Sequence, residues 1–178
     1  FSAAMAAALA LPATYAPRIA AAVEGAPRLP VIWLRTQTCG GNTEATLRSI
    51  DPPVTQLFLD TVSIEYHDSF LAVSGAGAGQ ALTDAMERYA DGYVLVVEGS
   101  LPRRNDGYCL INGRPAADVL REVADGAIAV IAAGSCACDG GISAARHNPT
   151  DAEGIKGYVG NAQYIALPGC PLNVDTLV

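Results

Sequence analysis

The chain has 178 residues, is 51% hydrophobic and 16% charged, and carries a formal net charge of −7. That length supports one domain with a sizeable core, and the acidic balance excludes the basic footprint expected of a nucleic-acid partner. Five cysteines, an odd number in a chain too long to need covalent staples, argue against a secreted disulfide scaffold and for metal or redox use.

Residues 1–27 open on the small apolar stretch FSAAMAAALALP. It has about the length of the hydrophobic part of an export signal and is too short to count as a membrane span. It reads as the remnant of such a signal, with an amphipathic helix packed on the domain as the other reading. The folded domain is expected over 28–178.

Leu29 to Leu34 reads as a buried strand. It leads into Cys39-Gly40-Gly41, and Glu44 to Ile50 then reads as a helix capped by Asn42 or Thr43. Val54 to Tyr66 contains a second strand, with Leu57, Leu59, Val62 and Ile64 as inward positions; His67 falls in the loop beyond it. Gly75 to Gly79 lacks the Lys-Ser/Thr of a phosphate loop and reads as a turn. Gln80 to Ala90 follows as a helix with Leu82, Ala85, Met86 and Tyr89 on one face. Gly92 to Val97 is the third strand and ends at Glu98. A polar loop from Arg103 to Gly113 holds Cys109, and Pro115 to Ala124 reads as a helix with proline in its first turn. Gly126 to Ala133 is the fourth strand. The loop Gly134-Ser135-Cys136-Ala137-Cys138-Asp139-Gly140-Gly141 comes next, then a short helix from Gly140 to Arg146. Tyr164 to Leu167 is the fifth strand, followed by Pro168-Gly169-Cys170-Pro171.

Short apolar strands alternating with helices imply an α/β domain: a flavodoxin-like, mostly parallel five-stranded sheet with helices on both faces. Sites in such sheets lie beyond the carboxyl ends of the strands. Cys39 follows the first strand there, Glu98 ends the third, Cys136 and Cys138 follow the fourth and Cys170 follows the fifth. Topology, not sequence proximity, brings these thiols together. Thiolates flanked by glycine and proline suit an iron–sulfur cluster, whose sulfurs accept bonds from nearby amides. Structural zinc is the rival, but it favours paired C-x2-4-C knuckles; buried, inert thiols are the plainest alternative. Glu98 reads as an interface or proton-path group, or as a partner for backbone N–H groups. Trp33 reads as core, Cys109 as a packed thiol, and His67 and His147 as solvated or capping histidines. Arg35, Arg103 and Arg104 are exposed or interface arginines.

The ordered segments VIWLRTQTCGGNTEATLRS, VLVVEGSLP, AAGSCACDGGI and LPGCPLN resemble the small subunit of membrane-associated nickel–iron hydrogenases. In that family the first loop reads C-T-G-C, the third strand ends V-E-G-[SA]-[IL]-P, the fourth leads into G-[ST]-C-A-x-x-G-G and the fifth into P-G-C-P-x-[NQ]. The resemblance runs from Val31 to about Val174. It implies a 4Fe-4S cluster of the proximal type, close to a nickel–iron centre that belongs to the partner large subunit only. Cys39, Cys136 and Cys170 match its ligands. The second cysteine of the first loop falls on Asn42, so the fourth ligand is either Cys138, the preferred reading, or Asn42 or water.

What the resemblance implies beyond the site is an electron-transfer subunit of an uptake-type hydrogenase. It would pair with a large subunit and pass electrons to a membrane cytochrome or a quinone-linked protein. It would be exported by the twin-arginine route to the periplasmic side of the membrane. A further C-terminal cluster domain is expected beyond Val178. The alternatives are a single-cluster subunit of a complex I-like oxidoreductase, whose first loop typically carries adjacent cysteines, and a cluster-less flavodoxin-like interaction domain.

Overall fold

The computed structural model describes residues 28–177 together with Thr14; the expected signal remnant over 1–27 lies outside the described residues. Five parallel strands form one sheet: β1 (Leu29–Arg35), β2 (Val62–His67), β3 (Tyr93–Glu98), β4 (Ala127–Ala133) and β5 (Gln163–Leu167). Their order is β2-β1-β3-β4-β5, the flavodoxin-like order in which β1 lies between β2 and β3 at the switch point.

Four helices carry most of the connections: α1 (Gly41–Leu47), α2 (Ala76–Arg88), α3 (Ala116–Asp125) and α4 (Gly134–Asp139). The larger core lies on one face of the sheet. There Ile32, Leu34, Leu95, Val97, Val130 and Ala132 pack against Leu82 and Ala85 of α2 and Leu120 and Val123 of α3. On the other face Val31, Trp33, Val94 and Val96 pack with Ala133 and Leu172. Strands buried on both faces account for the continuous apolar runs in the sequence.

The registers set the position of the site. Arg35 pairs with Glu98, Glu98 with Ala133 and Ala133 with Leu167. Four strand ends therefore form one row, and the loops that leave them start side by side.

Several elements differ from the sequence reading. The first helix begins at Gly41, not Glu44, with Gly40 as its cap at φ 81°. Asn42 and Thr43 are buried inside its first turn instead of capping it. Val54–Gln56 and Leu57–Thr61 are helical, and the second strand starts only at Val62; a short apolar run does not distinguish strand from helix by periodicity. Leu57 and Leu59 are buried from that helical segment. The second long helix starts at Ala76 and takes in most of the glycine-rich stretch read as a turn. His67 is no loop residue: it ends β2 and is buried. The Cys136–Cys138 segment, read as a loop, is the helix α4.

Candidate functional site

Three loops meet beyond the row of strand ends. The β4 and β5 loops are joined at two points: the Ser135 N–H donates to the Gly169 carbonyl at 2.8 Å, and the Gly169 N–H donates to Ser135 Oγ at 3.1 Å. The β1 loop is joined to both through Asn42. Its Nδ2 donates to the Ala133 carbonyl at 3.1 Å and its Oδ1 accepts from the Leu172 N–H at 2.9 Å. Asn42 is 7% exposed, so each of these bonds satisfies groups removed from water.

The same three connections carry Cys39, Cys136 at the start of α4, and Cys170. Cys39 and Cys170 are exposed and Cys136 is half-buried. Burial pushes the Cys136 thiol up from its ordinary range; the Ile142 N–H opposes this, and the neighbouring Cys170 and Cys39 thiols and Asp139 push it further up. The Cys136 sulfur thus lies within electrostatic reach of both other thiols. Glycine keeps the space beside them open. A Cβ on Gly141 would sit 2.8 Å from Cys136 Sγ, and one on Gly41 would sit 3.2 Å from Cys39 Sγ. Gly134, at φ +83°, leaves room for the Asn42 carboxamide: a Cβ there would meet its Oδ1 at 2.6 Å.

Cys138 does not join them. Residues two apart on a helix point to nearly opposite sides, and α4 places Cys138 against the larger core. Its Sγ contacts the Ala132 carbonyl at 3.5 Å. Burial raises its pKa, with a smaller push from Asp139 and an opposing bond from the Leu167 N–H; none of the other three thiols contributes. The structure sets Cys138, the preferred fourth ligand, apart from the other thiols: the helical turn that aims Cys136 at the site turns Cys138 into the core. Asn42, the other candidate, has Oδ1, the atom that would ligate a metal, bonded by the Leu172 N–H, and it clamps the loops together.

Glu98 lies beneath the Cys39 loop and is fully buried. Oε1 accepts from the Asn42 N–H at 2.9 Å and Thr38 Oγ1 at 3.1 Å; Oε2 accepts from the Thr43 N–H at 3.2 Å and Thr43 Oγ1 at 2.6 Å. All four partners donate, so the carboxylate anchors the first turn of α1 and the Cys39 loop. Arg35 Nε stands 4.0 Å away. The partner-for-backbone reading of Glu98 is the one its bonds describe.

The support behind this anchor left no mark in the sequence. The Ser69 N–H donates to His67 Nδ1 at 3.1 Å, which places the ring proton on Nε2. Nε2 then donates to Thr43 Oγ1 at 3.2 Å, leaving the Thr43 hydroxyl proton for Glu98. Desolvation lowers the His67 pKa to about 4; the charges of Asp68 and Glu98 oppose this and Arg35 assists it. Phe70 stacks on the ring with centroids 4.0 Å apart. The other singled-out residues stay outside the site. Cys109 packs on the core, Arg103 pairs with Asp151 and Glu153 at the surface, and Trp33 is core.

Among the described residues no three His, Cys, Asp or Glu side chains lie close enough together to hold a metal ion. A single zinc, with Zn–S bonds of about 2.3 Å, draws its sulfurs into van der Waals contact. Three thiols from three separate connections at one sheet edge fit a multi-iron cluster better, because each thiolate there binds its own iron.

Fold and site together define a flavodoxin-like domain with a thiol-lined carboxyl edge. The chain belongs to the family of the NADH ubiquinone oxidoreductase 20 kDa subunit, whose pattern matches residues 39–178, beginning on Cys39 itself. It is 42% identical over 172 residues to the hydrogenase-2 small chain of Escherichia coli, covering 96% of this chain and 46% of that protein. It is 41% identical over 178 residues to the quinone-reactive Ni/Fe-hydrogenase small chain of Wolinella succinogenes, covering 98% of this chain and 50% of that one. Among solved structures, the [NiFeSe] hydrogenase of Desulfovibrio vulgaris Hildenborough matches with a TM-score of 0.81 at 32% identity, over 85% of this chain and 57% of that chain. The resemblance to hydrogenase small subunits read from the four motifs is thus borne out, as is the flavodoxin-like sheet. The chain spans about half the length of these curated relatives.

Proposed function

We propose that this chain is the electron-transfer part of a nickel–iron hydrogenase of the uptake type, and that Cys39, Cys136 and Cys170 hold a 4Fe-4S cluster of the proximal kind. The observation that carries this is the placing of those three thiols at one sheet edge, Cys136 within electrostatic reach of the other two, with glycines that leave the Cys39 and Cys136 sulfurs uncovered. The similarity to hydrogenase small chains supports it. When bound, such a cluster takes up and releases one electron at a time. Hydrogen chemistry belongs to the partner large subunit, which holds the nickel–iron centre; this chain supplies no ligand to it.

The chain's own residues do three things for the cluster. The thiolates fix it on the exposed edge, where Cys39 and Cys170 face outward toward the partner. Glu98, Thr38 and Thr43 hold the Cys39 loop in place from below. Asn42 keeps the three ligand loops at a fixed separation. A rigid first shell limits the rearrangement that accompanies each electron. Electrons would pass onward to a membrane cytochrome or quinone-linked acceptor, with the complex on the periplasmic side after twin-arginine export; the apolar opening of residues 1–27 supports this part.

The test is anaerobic co-production of the full-length protein with its large subunit. Loss of the iron and sulfide of one cluster on Cys136→Ser supports the reading. Iron and sulfide content unchanged by Cys136→Ser overturns it and favours a cluster-less interaction domain.

A further inference from the structure

The cluster reading leaves open which side chain supplies the fourth ligand. Asn42 occupies the position from which a fourth thiolate would come, yet its carboxamide is bound at both ends. Oδ1 takes the Leu172 N–H and Nδ2 gives to the Ala133 carbonyl, and the carboxamide fills the space a side chain at Gly134 would need. Swinging Oδ1 to a metal would break both bonds and leave a buried N–H and a buried C=O unpaired, at a cost of about 1–3 kcal/mol for each. A neutral amide oxygen is also a weak donor to iron compared with thiolate, so the exchange is unfavourable on both counts.

The remaining candidates are committed elsewhere. Cys138 packs into the core from the far side of α4. Asp139, whose charge bears on Cys136, accepts the Gly141 N–H at 2.9 Å and so closes the end of its own helix. Glu98 is buried and already accepts four donors. His67 is behind α1, bonded through Thr43.

Resting on the cluster reading above, we propose that this chain supplies three ligands only, Cys39, Cys136 and Cys170. Asn42 is kept as the clamp of the ligand loops, and the fourth iron position is exchangeable, open to a small oxygen donor from solvent. Binding of water there is donation of a lone pair. No electron changes hands and no bond within the protein is made or broken. With three thiolates in place of four, the site carries one negative charge fewer, and its least tightly held iron is the one without a cysteine.

The test uses the anaerobically purified full-length protein with its large subunit, in buffer enriched in 17O-water, read by electron–nuclear double resonance on the reduced state. The expected result is a 17O coupling in the wild type that disappears in Asn42→Cys, where a thiolate fills the position. It persists in Cys138→Ala. A second readout needs no variant: reduced wild-type protein incubated with 57Fe(II) takes up label at one iron site, seen by Mössbauer spectroscopy. Iron- and sulfide-containing protein with neither 17O coupling nor 57Fe uptake overturns the three-ligand inference while leaving the cluster reading intact. Iron and sulfide content unchanged by Cys136→Ser overturns the cluster reading itself.

Discussion

Asn42 accepts a hydrogen bond from the Leu172 N–H at 2.9 Å across 130 residues of sequence. With its second bond, to Ala133, it ties the loops of Cys39, Cys136 and Cys170 into one unit. Asn42→Ala leaves the Leu172 N–H and the Ala133 carbonyl unpaired, and the expected loss is about 2–4 kcal/mol of unfolding free energy. Chemical denaturation checks it; a variant within about 0.5 kcal/mol of wild type, the range of an ordinary surface change, contradicts the clamp.

Gly134 and Asn42 form a coupled pair. Gly134→Ala forces a side chain into a left-handed backbone and against the Asn42 carboxamide, which costs at least about 1–3 kcal/mol. Removing the obstructing side chain relieves the steric part. In a double-mutant cycle, Gly134→Ala is therefore less damaging in the Asn42→Ala background than alone. Strict additivity contradicts the contact.

Glu98→Gln replaces an acceptor of four bonds with a group that presents an NH2 to donors. The Asn42 or Thr43 N–H then faces another donor, with an expected cost of about 2–4 kcal/mol. Hydrogen exchange read by mass spectrometry locates the damage: faster exchange over 38–47, with the β3 and β4 amides unchanged.

His67 makes stability depend on pH. Its folded pKa, about 4, lies below the unfolded value of about 6.5. Between those limits the unfolded chain binds the proton and the folded chain does not. Stability is therefore full above pH 6.5, falls as pH drops toward 4, and then levels off for this group, with a total of about 3 kcal/mol. His67→Phe removes this dependence. Denaturation midpoints measured at pH 7, 6, 5 and 4 check the sign; an equally steep fall in the variant assigns the effect to other groups.

Strands β1, β3 and β4 were legible because they are apolar runs bounded by glycine or charged residues, and buried strands of a parallel sheet read that way. A parallel sheet brings the loops of Cys39, Cys136, Cys138 and Cys170 to one edge, and the family resemblance singled out Cys39, Cys136 and Cys170 among them. The direction of Cys138 was not legible. A six-residue helix between Gly134 and Gly140 has too few turns to show a period, and a loop would have left both thiols free to converge. The role of Asn42 was hidden because its partners lie 91 and 130 positions away. His67 gave no signal because a lone histidine after a strand looks the same whether solvated or buried; only the packing of Phe70 and Thr43 around it decides.

The most direct test of the central claim is iron and sulfide analysis of the full-length protein, purified without oxygen together with its large subunit, for wild type, Cys136→Ser and Cys138→Ser. Three thiols at one edge, with the fourth turned into the core, predict that Cys136→Ser loses the iron and sulfide of one cluster while Cys138→Ser retains them. Equal loss in both variants, or wild-type content in Cys136→Ser, would contradict it.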